Sequence, residues 1–239
     1  MQFTVEESFW ELFPDAAIGV IAAKELTAPE NIPSPQLDAL SRLLAAANGM
    51  AQLHLPNSNI AENDVVKVWR DAYRLFETKR GARSTIEVLL KHVLKHDPVK
   101  SVNPLADICN IVSLKHALPV SAEDYDAIVG NLRLCVTAGG NDFQPLDSWT
   151  KDPALAGEVC YLDDEGAVRR CWNWCSGERT VYRASSKSAL VIVESVDPAR
   201  REELEAALAE LSALLQHNLG ATVTTHAIVS KENPSVTLA

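Results

Sequence analysis

Residues 83–128 read RSTIEVLLKHVLKHDPVKSVNPLADICNIVSLKHALPVSAEDYDAI. Two helical patterns lie in this run, joined by an Asn-Pro turn and followed by an Asp-rich exit. The first opens at Ser84, three residues before Glu87, which is the capping-box spacing. Ile86, Leu89, Leu90, Val93 and Leu94 form its apolar face, and Asp97-Pro98 stops it. The second is unusual in its polar content: Asn103, Asp107, Asn110 and Ser113 interleave with Leu105, Ile108, Ile111, Val112 and Leu114. Polar groups against an apolar face cost several kcal/mol unless hydrogen-bonded, so they serve either caps and buried networks or the floor of a polar pocket.

Toward the N-terminus the pattern stays mostly helical. Ala17–Ala23 is a short apolar run that reads as a buried strand. Ser34 is a candidate helix cap with Pro35 just inside, and Leu37, Leu40, Leu43, Leu44 and Ala47 keep helical spacing. A further helix is expected over Val65–Glu77, ended by the basic residues and glycine of Lys79-Arg80-Gly81. Beyond Leu132 the period drops to two. Leu132–Thr137, Glu158–Leu162, Val168–Trp174, Arg179–Arg183 and Ala189–Glu194 read as strands separated by Gly- and Asp-rich turns. Asp197-Pro198 then starts a helix striped by Leu204, Leu208, Leu211 and Leu215, Gly220 ends it, and Ala221–Ser230 closes as a strand. The expected fold is α+β: a mixed sheet folded into a sandwich or barrel-like core with helices packed outside. Residues 1–230 form one domain in this reading, and 231–239 a flexible tail.

The 239 residues are 47% hydrophobic, and no apolar run approaches the ~20 residues of a membrane span. The first residues carry no basic stretch of the secretory kind, and five cysteines are an odd number for a disulfide framework, so the cytoplasm is the expected compartment. A net charge of −10 argues against long nucleic-acid contacts. Yet residues 67–100 hold nine basic side chains against four acidic ones. One basic flank on an acidic body suits contact with a short piece of RNA; solvated helix faces would look the same.

Two blocks carry a family resemblance. Asn103-Pro104-Leu105-x-Asp107-Ile108-x-Asn110, followed by Leu118-Pro119 and Asp124-x-Asp126-x-Ile128, is one; Gly157-Glu158-Val159-x-Tyr161-x-Asp163 through Arg170-x-Trp172-Asn173-Trp174 is the other. Together they resemble the editing domain of the phenylalanyl-tRNA synthetase beta subunit, and its free-standing relatives more closely still. The resemblance covers roughly residues 80–195. It implies hydrolysis of an amino acid wrongly esterified to tRNA, in trans, without a cofactor. It implies tRNA, by its aminoacylated 3' end, as partner, leaves room for a synthetase as a second one, and implies neither a membrane nor DNA.

By the same resemblance Asn110, Asp107 and Glu158 are the expected catalytic residues. Arg83, Glu87, Asn103, Ser113, Ser121, Trp172, Asn173 and Cys175 are the expected substrate contacts. The family has Arg, Ser and Glu where this chain has Arg83, Ser84 and Glu87, so a helix cap and a pocket contact compete for them. An activated ester needs little machinery: a grip on the α-ammonium, a placed water and donors for the oxyanion. The resemblance implies that the terminal ribose hydroxyl of the tRNA helps activate that water. Ser121 stands where the synthetase carries a histidine, and Cys175 where the free-standing relatives carry arginine. The synthetase's editing glutamate aligns near Glu178 or Thr180. These departures suggest that the rejected amino acid is not tyrosine.

Other chemistry is less well supported. On one extended strand Cys171 and Cys175 would stand about 13 Å apart and could not share a zinc ion. His92 and His96 have helical chelate spacing but no evident third ligand, and no histidine or aspartate can be set beside Cys175 as a catalytic partner. Trp172 and Trp174 would share one strand face, with Asn173 on the other. Phosphate-loop, dinucleotide and HExxH motifs are absent. Two alternatives to the esterase stay open: a module that binds an amino acid, a nucleoside or a tRNA end without turnover, and, more weakly, a metal hydrolase using His92 and His96.

Overall fold

The apolar run at residues 17–23 becomes an inner strand of a four-stranded sheet, between one long neighbour that is buried throughout and one that alternates between buried and exposed positions. In chain order the elements are β1 (Gln2–Val5), α1 (Glu7–Trp10), β2 (Ala17–Lys24), α2 (Ser34–Ala51), α3 (Asp64–Ala72), α4 (Thr85–Leu94), α5 (Pro104–His116), β3 (Val120–Asp124), β4 (Leu132–Val136), β5 (Val159–Leu162), β6 (Ala167–Arg170), β7 (Cys175–Ser176), β8 (Ala189–Ser195), α6 (Arg201–Leu219), β9 (Thr222–Val229) and β10 (Ser235–Thr237). The structure is a computed structural model and describes residues 1–239 except Asp147.

The fold is α+β with two sheets and no closed barrel. One sheet runs β3-β8-β2-β9, all antiparallel, and the other β10-β1-β4-β5-β6-β7, in which only β1 and β4 are parallel. The sequence ALVIVES of β8 is buried throughout, as a strand between two others and under a helix must be. Helix α6 covers β2, β8 and β9, and α5 packs between α2 and α6. Close approach of α6 to the sheet depends on Gly19: a Cβ there would stand 2.7 Å from Val193 Cγ1 and 2.9 Å from Leu208 Cδ1. Among the described residues no helix is long and apolar enough to cross a membrane.

Several local expectations change. The helix expected to reach Glu77 ends at Ala72. Tyr73 and Phe76 leave it to pack into the core, where the Tyr73 hydroxyl donates to the Cys171 carbonyl at 2.8 Å and Phe76 meets the Trp172 ring. The capping box at Ser84 does not form: the Ser84 hydroxyl has no partner among the described residues, and Glu87 turns to Arg70 Nε at 3.0 Å. Likewise Ser34 lies inside its helix, with Pro33 at the cap position. Val168–Trp174 is not one strand. It ends at Arg170, because Cys171 and Trp172 take left-handed backbone (φ 44° and 62°) and turn the chain. Arg179–Arg183 supplies only an isolated bridge from Val181 to Glu123. Conversely, the Asp-rich exit holds β3, and the residues expected as a tail supply β10, paired with β1 at the sheet edge.

Candidate functional site

The start of α5 explains most of its buried polar residues. Asn103 caps the helix, its Oδ1 accepting the Ala106 N–H at 2.9 Å, and Pro104 takes the first helical position. Asp107 reaches back to the Val102 N–H at 2.9 Å and to the Ser101 hydroxyl, so that the two ends of the first turn hold each other. At the far end the Ser113 hydroxyl donates to the Leu118 carbonyl at 2.6 Å, where Ala117 (φ 45°) closes the helix. Asn110 is the exception. Its amide has no hydrogen-bond partner among the described residues.

Asn110 faces a cavity of about 440 Å³, inside the range of small-molecule sites. Helix α5 forms one wall, β3 another, and the segment from Trp174 to Tyr182 the third. Asn103, Asn110, Ser121 and Cys175, read from the sequence as site residues, all line it. Trp174 and Tyr182 complete the aromatic side. The Asn103 amide nitrogen, the Asn110 amide and the Ser121 and Tyr182 hydroxyls make no hydrogen bonds to other described residues. They are therefore available to a ligand. Among the described residues, no aspartate, glutamate or histidine lines the cavity. Burial holds the Cys175 thiol above its ordinary value, which leaves it protonated and poorly nucleophilic at neutral pH. Cys109, also on the wall, is pushed up to about 12 by burial.

The wall rests on an ion pair that sequence reading misses. Arg169 and Glu123 are almost fully buried, with Nη1 3.0 Å from Oε1. Glu123 also accepts from the Ser176 hydroxyl at 2.8 Å and the Thr180 hydroxyl at 3.1 Å, while Arg169 donates to the Asn173 carbonyl at 3.0 Å. Burial nonetheless raises the Glu123 carboxyl above its ordinary value, because these partners offset only part of its lost hydration. The sequence signal was the pair Arg169-Arg170 inside a strand. Adjacent side chains face opposite ways, so at least one arginine of a two-faced buried strand must point inward.

Arg170 takes the other face and holds Glu158, with Nε and Nη2 2.8 and 2.6 Å from its two oxygens. Glu158 also accepts the Leu155 N–H and the Cys171 thiol, has no exposed surface and does not reach the cavity. Trp172 lies in the core among Phe9, Phe13 and Trp69, with ring centroids 4.7–5.1 Å away. Its Nε1 donates to Glu194 Oε1 at 2.6 Å. Asn173 joins the same network, donating to Glu194 Oε2 at 2.8 Å and accepting from Tyr73 at 3.1 Å. The Tyr161 hydroxyl donates to Glu194 as well, tying β5 of one sheet to β8 of the other. The turn at 171–172 thus sends the two tryptophans to different places, Trp172 inward and Trp174 to the cavity.

Arg83 and Glu87 do not line this cavity. Glu87 is held by Arg70, with Arg83 Nε at 3.8 Å, and the three line a smaller cavity of about 180 Å³ beside Trp69 and Tyr73. The chelate spacing of His92 and His96 is lost, since α4 ends at Leu94, His96 is left-handed (φ 59°), and His92 pairs with Asp97 at 3.0 Å. No group of three or more potential metal ligands occurs among the described residues.

The profile of the B3/4 domain matches residues 68–220, which include α4, α5, β3 and the Trp-Asn-Trp turn. Among solved structures the chain is similar to an N-terminal fragment of the phenylalanyl-tRNA synthetase beta subunit from Pyrococcus horikoshii, at 11% identity and a TM-score of 0.48. The likeness covers 92% of this chain and 49% of that one, so the chain spans about half the fragment's length. No curated protein matches. With the profile matching well over half of its residues, the chain belongs to the B3/4 domain family, the domain type of the phenylalanyl-tRNA synthetase beta subunit.

Proposed function

We propose that the chain is a free-standing aminoacyl-tRNA deacylase whose cavity takes the amino acid and terminal adenosine of a mischarged tRNA. The observation that carries this reading is the meeting of Asn103, Asn110, Ser121 and Trp174, from three separated segments, around one cavity of about 440 Å³ with its polar groups unspent. In the reaction water adds to the ester carbonyl, and the ribose oxygen leaves and takes up a proton. Asn110 and Ser121 donate to the carbonyl oxygen as it gains negative charge, and the Trp174 and Tyr182 rings bound the amino-acid side chain. The protein supplies position and donors; the family resemblance assigns water activation to the neighbouring ribose hydroxyl. Asp107, Glu158, Ser113, Trp172 and Asn173 act on this reading by holding the cavity's frame.

One observation favours a second reading, a module that binds the same aminoacylated end without turnover. The buried carboxylates Asp107, Glu123, Glu158 and Glu194 are each engaged by protein donors, which leaves no free side-chain base at the cavity among the described residues. Release of labelled amino acid from a panel of mischarged tRNAs separates the two. The hydrolase reading expects turnover that falls in Asn110→Ala, with Tyr-tRNA not the best substrate. Tight binding of a non-hydrolysable aminoacyl-adenosine with no release from any member would leave the binding module.

A further inference from the structure

The small cavity of about 180 Å³ beside α4 is lined by three guanidinium groups, from Arg70, Arg74 and Arg83, and by one carboxylate, Glu87. Glu87 takes Arg70 Nε at 3.0 Å and Nη2 at 2.5 Å, and stands 3.8 Å from Arg83 Nε. Arg74 gives Nη1 to Asp71 at 2.8 Å, an exposed residue that does not line the cavity, and Arg83 gives Nη1 to the Ala82 carbonyl at 2.5 Å. Three cations against one anion leave the lining positive even with Asp71 counted. Arg74 Nη2 and Arg83 Nη2 donate to no described residue.

The same cavity meets the start of α4 at Ser84. Ser84 holds the N-cap position and is 1% exposed, yet its hydroxyl neither caps the helix nor bonds to any other described residue. The N–H groups of Thr85 and Ile86 open the helix and can have no partner within it. They find no other acceptor among the described residues. An N-cap serine ordinarily accepts from one of the first helical N–H groups, and a buried hydroxyl left without a partner costs free energy. An anion at this point satisfies the hydroxyl and the N–H groups together, where the helix dipole favours negative charge.

We propose that this cavity binds a small oxyanion of the phosphate kind, which caps α4 through the Ser84 hydroxyl and the first helical N–H groups while Arg74 and Arg83 take its other oxygens. The donors come from two separate helices and the turn between them, which suits a group with oxygens in several directions. The volume is below the usual range of small-molecule sites, so it admits a phosphate group but not a nucleotide. Free phosphate and a small phosphate monoester present the same oxygens, and both are tested. No residue lines both this cavity and the larger one, so the inference does not rest on the deacylase reading.

Equilibrium dialysis of labelled inorganic phosphate and of glycerol phosphate against the full chain measures binding, and thermal melting with and without phosphate measures its linkage to folding. Saturable binding of at least one of the two is expected. Arg74→Gln/Arg83→Gln should weaken it roughly tenfold or more, as loss of two charge-assisted contacts does. Arg42→Gln/Lys187→Gln, the same change in charge at exposed positions elsewhere, should bind nearly as the parent does. Asn110→Ala/Ser121→Ala, which alters only the larger cavity, should bind as the parent does.

Ser84→Ala separates a ligand contact from a structural one. Its hydroxyl has no protein partner to lose, so without phosphate the variant should melt no lower than the parent, and phosphate should raise its melting temperature by less. No saturable binding, equal loss in the charge control, or loss in the larger-cavity variant would overturn the assignment. So would a Ser84→Ala protein that melts lower without phosphate and keeps the parent's full rise with it, or tighter binding of adenosine monophosphate than of either small phosphate.

Discussion

Arg169 Nη1 lies 3.0 Å from Glu123 Oε1, and this contact joins β6 of the six-stranded sheet to β3 of the four-stranded one at the wall of the cavity. Both side chains have lost nearly all hydration, so neither tolerates loss of the other. Glu123→Leu would leave a guanidinium buried without its counter-charge, which costs about 3–5 kcal/mol. The double variant Glu123→Leu/Arg169→Met removes both charges and is expected to regain most of that loss. Urea unfolding midpoints measure both. A single variant as stable as the parent, or a double variant less stable than the single one, would contradict this account.

Glu194 gives the pH dependence a definite sign. Burial raises its carboxyl, and the hydrogen bonds from Tyr161, Asn173 and Trp172 offset only part of that. Between the unfolded value and the raised folded one, the native state binds more protons than the unfolded chain, so stability falls as pH rises. Glu194→Gln removes this component, and the other carboxyls, common to both proteins, cancel in the comparison. The stability of the parent minus that of the variant should therefore be largest below about pH 4.5, near the ordinary glutamate value, and decline above it. Denaturant unfolding across pH 4–8 measures the difference; a difference that grows with pH reverses the sign and rules the account out.

How much of this was legible follows from periodicity. The strands at residues 17–24, 189–195 and 222–229 and the helix at 201–219 stand out because one rule of burial governs each along its whole length. Strands β1 and β10, neighbours at one end of the six-stranded sheet, are four and three residues long, too short for alternation to show. Strand β3 ends in Glu123-Asp124, which reads as solvent until Arg169 is known to stand opposite. At the site, the convergence of Asn103, Asn110, Ser121 and Cys175 on one cavity could be expected from the resemblance. The division between Trp172 and Trp174 could not, because it depends on two non-glycine residues with positive φ, for which local sequence gives no sign.

Asn110 and Asp107 lie on the same helix but should fail in different ways. Asp107 is spent on the Val102 N–H and the Ser101 hydroxyl, so Asp107→Ala is expected to lose about 0.5–2 kcal/mol of stability, the range for a lost helix cap. Asn110 makes no protein hydrogen bond among the described residues, so Asn110→Ala should keep the parent's melting temperature. Its effect is expected on kcat of ester release, by roughly 100-fold if its amide serves the oxyanion. Thermal melting and single-turnover deacylation on the same preparations decide it. Asn110→Ala with full activity removes Asn110 from the chemistry.

Trp172 and Trp174, two residues apart, extend the same contrast to the aromatic side chains. The Trp172 ring has no exposed surface, contacts Phe9, Phe13, Trp69 and Phe76, and gives its N–H to Glu194. Trp172→Ala would open a cavity in the largest aromatic cluster and leave Glu194 with one donor fewer. A loss of about 3–5 kcal/mol is expected from the cavity alone. Trp172→Phe keeps much of the packing but not the donor, so it should fall between the parent and the alanine variant. Trp174 is only partly buried and lines the cavity. Trp174→Ala should stay within about 1 kcal/mol of the parent in unfolding and lose its effect instead in KM for aminoacyl-adenosine. Equal loss of stability in the two alanine variants would mean that the turn at residues 171–174 buries both rings together, and the aromatic wall of the proposed site would have to be assigned elsewhere.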